Sequence, residues 1–247
     1  MRTSNPALAA DPFAGARAAS PDEAMTINGT AQKAMILLLC VLIGAGYTWK
    51  IFFQSGSPEA VMPWMWGGII GGFIAAMVTI FKKEWAAFTS PIYGLLEGFA
   101  IGGISSLFEA QYPGIVVQAA GLTFATLAAM LVLYMSRIIP VTDKLRMGIF
   151  AATGGIALVY FVSIILGFFG VSVPFIYGNG LIGIGFSLFV VGIAALNLVL
   201  DFDLIERGAQ AGAPKYMEWY GAFALMVTLI WLYIEMLRLL SKVRSNR

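Results

Sequence analysis

From Ala34 onward the chain alternates apolar runs of about twenty residues with short polar breaks, the spacing a bilayer imposes on helices. Seven runs stand out: Ala34–Phe53, Val61–Phe81, Pro91–Gln111, Ile115–Ile138, Leu145–Phe169, Gly180–Leu204 and Tyr216–Leu240. About 20 helical residues at 1.5 Å each cross a hydrocarbon core about 30 Å thick, so each run predicts one transmembrane helix. The breaks QSGSPEA, EAQYPG, FGVSVPFIYGN and RGAQAGAP contain Gly or Pro where one helix would stop and another start. Residues 1–32 are rich in Ala, Pro, Ser, Asp and Asn without a sustained amphipathic period, which predicts a disordered cytoplasmic tail. No small-residue cleavage site follows the first run, so it is expected to remain as an uncleaved span. The predicted organisation is an all-α polytopic transmembrane bundle, with the tail over 1–32 and one seven-helix domain over 33–247 that ends in a short basic stretch.

Composition narrows the function classes. Of 247 residues, 60% are hydrophobic and 11% charged, whereas soluble proteins carry about 25% charge. Fifteen Lys and Arg against thirteen acids leave a formal net charge of +2, dispersed at span ends, so no nucleic-acid partner is expected. The expected surroundings are the lipid bilayer and other membrane proteins, with the chain as a monomer. Cys40, the one cysteine, lies in an apolar run, which excludes intramolecular disulfides and favours a bland buried thiol. The absence of histidine removes the usual haem, zinc and imidazole chemistries, and no cofactor is expected. Carboxylates are left to carry any acid-side pH response.

Basic residues orient the spans. Arg2, Arg17 and Lys33 precede the first, Lys82 and Lys83 follow the second, Arg137, Lys144 and Arg146 separate the fourth and fifth, and Arg207 and Lys215 separate the sixth and seventh. The positive-inside rule then places the N terminus in the cytoplasm. Seven crossings leave Arg238, Lys242, Arg244 and Arg247 on the outside, against the rule, and a re-entrant last span is the alternative. Seven crossings are favoured because Tyr216–Leu240 is long enough to span.

Within the third run Gly94, Gly98, Gly102 and Ser106 recur every four residues, and Gly68 and Gly72 repeat the spacing in the second. Small residues on one face let helices approach closely in lipid, so the stripes predict helix packing. Glu97 lies one residue off the stripe, where either a cavity or the interface would suit it. Glu59, Glu84, Glu109 and Glu218 fall near predicted ends and are expected to be solvated. Trp64, Trp66, Trp85, Trp219 and Tyr216 also fall near ends, as an interfacial aromatic belt would.

The end of the sixth run, NLVLDFDLIER, is where chemistry is expected. An ionised Asp exposed on a transmembrane helix costs roughly 2.5–3.5 kcal/mol, so such a residue usually faces a bundle interior or a water-filled path. Asp201 and Asp203 are about 200° apart around a helix and cannot both face one spot. Asn197 lies one turn before Asp201 and can share its face, while Asp203 is placed to pair with Arg207 at i,i+4. In the last run Thr228 and Glu235 are seven residues apart, near one face, with Arg238 one turn further. Glu235 either pairs with Arg238 at the surface or enters an internal polar network.

The segments YGLLEGFAIGGISSLFE, LVLDFDLIERG and APKYMEWYGAFALMVTLIWLYIEMLRLL, in that order, resemble the Bax inhibitor-1 family in its bacterial YccA-like branch, over about residues 30–241. The resemblance implies a seven-helix fold with the last helix central, and a link to calcium leak across membranes. It also implies a gate built from one Asp at the end of span 6 and one in span 7, opened or closed by protonation. Asp201 matches the first of these. Thr228 stands where the second would be, so the familiar acid pair is absent.

The expectation that follows is a pH-modulated cation path, with calcium as the permeant ion and Asp201 as a weak, transient oxygen ligand. Asn197 and Thr228 would add neutral oxygens, and Asp203, Glu97 and Glu235 are the other candidate pH-sensing or ion-path acids. Calcium takes six to eight oxygens, more than this inventory supplies, which argues against a tight metal site. A non-transporting interaction protein acting on membrane-protein quality control is the alternative. The chain is not expected to be an enzyme: the opposed directions of Asp201 and Asp203 disfavour an aspartyl protease, and it has no GxGD segment, GxSxG elbow or Walker loop.

Overall fold

The computed structural model describes residues 18, 20, 23–170, 178 and 180–246. Among them lie seven long α-helices and no strand: α1 (Ile27–Ser55), α2 (Met62–Phe81), α3 (Ala86–Gln111), α4 (Ile115–Met135), α5 (Asp143–Phe168), α6 (Leu181–Gln210) and α7 (Met217–Ser245). All seven are long and apolar enough to cross a membrane. With 20 to 30 residues each they are roughly 30–45 Å long. The all-α, seven-helix reading of the sequence is borne out, and α7 is one uninterrupted helix.

Several helix ends differ from expectation because side chains extend them. The first helix starts at Ile27, not Ala34, so INGTAQK belongs to the helix and not to a tail. Thr26 caps it, its hydroxyl accepting from the Gly29 N–H at 2.9 Å. The Glu218 carboxylate in turn accepts from the Thr26 N–H and hydroxyl at 3.0 Å each. Just before it, Met25 is buried and donates its N–H to Ala213 O at 2.6 Å. Residues 1–17, 19, 21 and 22 of the expected tail lie outside the described residues.

At the third helix, Pro91 sits inside the element and not at its start. The preceding turn is held by Thr89, whose hydroxyl donates to Trp85 O at 3.0 Å and lies 2.7 Å from the Thr79 hydroxyl. The fourth helix stops at Met135, short of Ile138, where Arg137 adopts φ 57° and the Ile138 N–H returns to Leu133 O at 3.2 Å. This is a Schellman-type end with an arginine in the left-handed position, a conformation that costs a side-chain-bearing residue roughly 1–2 kcal/mol. The sixth helix continues past Leu204 to Gln210, its last turns tied by the Asp203–Arg207 and Glu206–Gln210 i,i+4 pairs.

The core is built around α7. Its Leu229, Leu232, Met236 and Leu237 pack with Ala119 of α4 and with Ala194, Leu198 and Phe202 of α6. On its other side, Ala222, Phe223, Met226 and Ile230 pack with Leu37 and Val41 of α1, Ala75 of α2 and Tyr93 and Ile101 of α3. Because one helix serves both clusters, it occupies the centre of the bundle.

α1, α2 and α3 form the tightest part. A methyl group at Gly98 would run into Val41 O and come 3.0 Å from Gly44 Cα, and one at Gly94 would meet Leu37 O at 3.2 Å. Gly102 lies against Thr48 and Ala45, and Gly68 against Leu96 O. The Ser106 hydroxyl is buried and donates to Gly103 O at 2.8 Å within its own helix. At the other extreme, α5 buries only Ile149, Ile156 and Ser163, one stripe at sevenfold spacing. A single buried stripe marks a peripheral helix whose remaining faces meet lipid.

Candidate functional site

α6 and α7 are antiparallel, joined by a short turn through Gly212 (φ 66°) and Pro214. Their register brings Asp201 beside Thr228, and a few turns toward the other end it brings Ser187 beside Lys242. Thr228 faces the Asp201 carboxyl from α7, and its hydroxyl donates to Ala224 O at 3.3 Å within its own helix. Asp201 Oδ2 is buried and has no hydrogen-bond partner among the described residues. Its flanking residues Leu198, Phe202 and Ile205 are buried and apolar. Such a carboxyl group has room in its bonding for one more proton or cation, and neither is supplied by the protein.

Asp203 turns the other way and is committed elsewhere. Arg146 of α5 donates to Asp203 Oδ2 at 2.9 Å, and Arg207 pairs with the same oxygen at 2.7 Å. The structure thus does not bring Asp203 to Asp201. Asn197 was expected to share the Asp201 face. Its amide instead donates to Thr153 of α5 at 2.8 Å and to Ile193 O at 2.9 Å, which spends it on helix packing. Glu97 does not join Asp201 either: its carboxylate lies against Gly72 of α2, 2.8 Å from where a Cβ would stand. It has no ion-pair partner among the described residues.

Glu235 sits about 10 Å along α7 from Thr228 by helical rise and belongs to a separate network. It is 1% exposed. The Tyr160 hydroxyl of α5 lies 3.0 and 3.1 Å from its two oxygens, and Arg238 Nη1 donates to Oε1 at 2.7 Å. Arg238 also donates to the Tyr160 oxygen at 2.5 Å, its guanidinium 4.9 Å from the centre of the tyrosine ring. One turn on, Lys242 is buried and donates to Ser187 Oγ at 2.8 Å and Gly183 O at 3.0 Å. These contacts tie α5 and the start of α6 to the end of α7, with the Glu235 carboxylate inside the protein and the Arg238 side chain 29% exposed.

Sequence reasoning missed several polar groups. Glu218, expected to be solvated, is 0% exposed, pairs with Lys33 and caps α1 through Thr26. Glu109 likewise caps α4, accepting from Gly114 N at 2.5 Å and Val116 N at 3.1 Å. Glu206 accepts from Arg137 at 2.6 Å and from the Tyr134 hydroxyl. Hydrogen bonding to Glu206 raises the Arg137 guanidinium above its ordinary value. A signal for the first of these was present: an acid in the first turn of one span and a lysine just ahead of another are natural partners once both ends share a membrane face.

Among the described residues no three Asp, Glu, Cys or His side chains converge as metal ligands. The donor set at Asp201 is one carboxyl group and one hydroxyl, which does not fit a resident calcium ion. A permeant ion needs only passing attraction.

A polytopic helical bundle with a central last helix and an incompletely bonded carboxyl group against it defines the class: a multi-pass membrane protein with an intramembrane acid site. The chain belongs to the Bax inhibitor 1 like family, whose family model matches residues 5–245. No curated protein and no solved structure matches it.

Proposed function

We propose that the protein forms a pH-modulated, cation-permeable leak path of the Bax inhibitor-1 type, with calcium as cargo and Asp201 as its control point. The observation that carries this reading is the buried Asp201 Oδ2, left without a partner between α6 and α7. Intramembrane acids in this position attract cations or exchange protons, and neutralising one changes what its helices gain by staying together. Thr228 supplies the facing oxygen. Membership of the bacterial YccA-like branch and a bacterial inner-membrane location are part of the proposal. So is a cytoplasmic N terminus, which Lys33, Lys82, Lys83, Arg137, Arg146, Arg207 and Lys215 near one end of the bundle support. The basic residues at the opposite end do not weigh equally against it, because Arg238 is paired with Glu235 and Lys242 is bonded inside.

Calcium flux through proteoliposomes across a range of pH tests the reading. The wild type is expected to show pH-dependent flux and Asp201→Asn a flux that no longer responds to pH. An unchanged pH response in that variant rejects Asp201 as the control point. A non-transporting interaction protein is the second reading, favoured by the threonine that stands opposite Asp201 in place of another acid. Well-folded protein that passes no cation at any pH supports this second reading.

A further inference from the structure

Helices α1 and α4 both pack on α7 but barely touch each other, and the gap between them is an apolar crevice open at the side. One chamber, of about 490 Å³, lies between Ala31 of α1 and Leu127 and Leu131 of α4, closed behind by Phe202 and Ile205 of α6 and Leu225 of α7. A second, of about 320 Å³, continues along the same gap past Leu42 and Phe124. Both volumes are in the range of small-molecule pockets. Leu42, Phe124 and Leu131 are exposed, so the crevice opens toward the surrounding bilayer and not into the bundle.

At one end of the 490 Å³ chamber stand Arg137, its side chain 67% exposed, and the Glu206 carboxylate paired with it. Arg137 gives one hydrogen bond to Glu206 and rests over the Tyr134 ring at 5.4 Å. A guanidinium has five N–H donors in a planar fork, so donors remain for an anion. The backbone at Arg137 is left-handed, a conformation that suits glycine or asparagine better, and it directs this cation from the end of α4. An apolar slot open to the membrane side, with a guanidinium at its polar end that Glu206 engages through one nitrogen, matches the two parts of a phospholipid. Chambers of about 490 and 320 Å³ hold far less than a membrane-crossing partner helix, which with its side chains is about 10–12 Å across.

We propose that this crevice is a phospholipid site, with an acyl chain between α1 and α4 against α7 and the lipid phosphodiester on Arg137. The proposal is independent of ion flux and of Asp201. It is tested with the full chain in vesicles of phospholipid carrying a photoactivatable diazirine on one acyl chain, with crosslinked positions mapped by mass spectrometry. Labelling is expected to concentrate on α1 and α4 around Ala31, Leu127 and Leu131, several-fold above the outer face of α5 at Phe161, Ile164 and Phe168. Arg137→Gln and the chamber-filling Leu127→Trp should each cut the crevice labelling several-fold and leave α5 labelling unchanged. A diacylglycerol with the same diazirine, lacking phosphate, should label the crevice weakly. Equal labelling of the crevice and α5 would reduce the lipid to an ordinary bilayer neighbour and overturn the proposal. Crevice labelling unchanged by both substitutions, or equally strong with diacylglycerol, also overturns it. So would loss of the label to an added single-span hydrophobic peptide but not to unlabelled phospholipid, which would assign the crevice to a protein partner.

Discussion

Asp201 and Glu235 are both acids on the α6–α7 hairpin, both set among apolar side chains, and they meet opposite treatment. Glu235 receives Tyr160 and Arg238. Asp201 faces one threonine hydroxyl and keeps a buried oxygen with no partner. Burial alone therefore does not separate a structural acid from a functional candidate; the completeness of its bonding does. A fully partnered buried acid holds helices in place, because removing it leaves a charge behind. An under-bonded one weakens the resting fold locally and is free to exchange its missing partner.

The largest expected effect breaks the partnered side. Glu235→Ala leaves the partly buried Arg238 without its carboxylate and Tyr160 without its acceptor, and should lower unfolding stability by about 3 kcal/mol, seen as a large drop in thermal midpoint in a fixed detergent. Asp203→Asn removes the charge that Arg146 and Arg207 share at a position only 13% exposed, and a loss of about 1–2 kcal/mol is expected by the same melt. Tyr160→Phe keeps the Glu235–Arg238 pair and deletes only the hydroxyl that links α5 to it. It should cost about 1 kcal/mol, with proteolysis or hydrogen exchange rising in α5 before α7. The smallest change is expected at the other acid. Asp201→Leu should leave stability within about 1 kcal/mol of the wild type or raise it, because the polar atom removed has no partner to lose. A destabilisation by Asp201→Leu as large as that by Glu235→Ala would erase the distinction.

Much of this protein was legible along the chain. Apolar run length located all seven helices, because a bilayer admits few alternatives to a continuous helix. Four-residue glycine spacing marked the face of α3 that approaches α1, and the 100° step per residue showed that Asp201 and Asp203 must diverge. The helix ends were less legible. Glu218 resembled any surface acid until the fold put it over Thr26 and Lys33, and Arg137 gave no local sign that it would end α4 in a left-handed turn. Asn197 was read correctly as one turn from Asp201, yet its side chain found Thr153, a partner on another helix.

The linear order of apolar and polar residues was sufficient for fold class, span number and the small-residue faces, since each depends on periodicity within one helix. Which acid is satisfied and which is not was decided only in three dimensions. Tyr160 lies 75 residues from Glu235, and a single tyrosine in an apolar run carries no mark of the carboxylate it will meet. Hydrogen bonds act over about 3 Å, so the distinction between Glu235 and Asp201 came into being when α5 packed on α6 and its Tyr160 reached one of them and not the other.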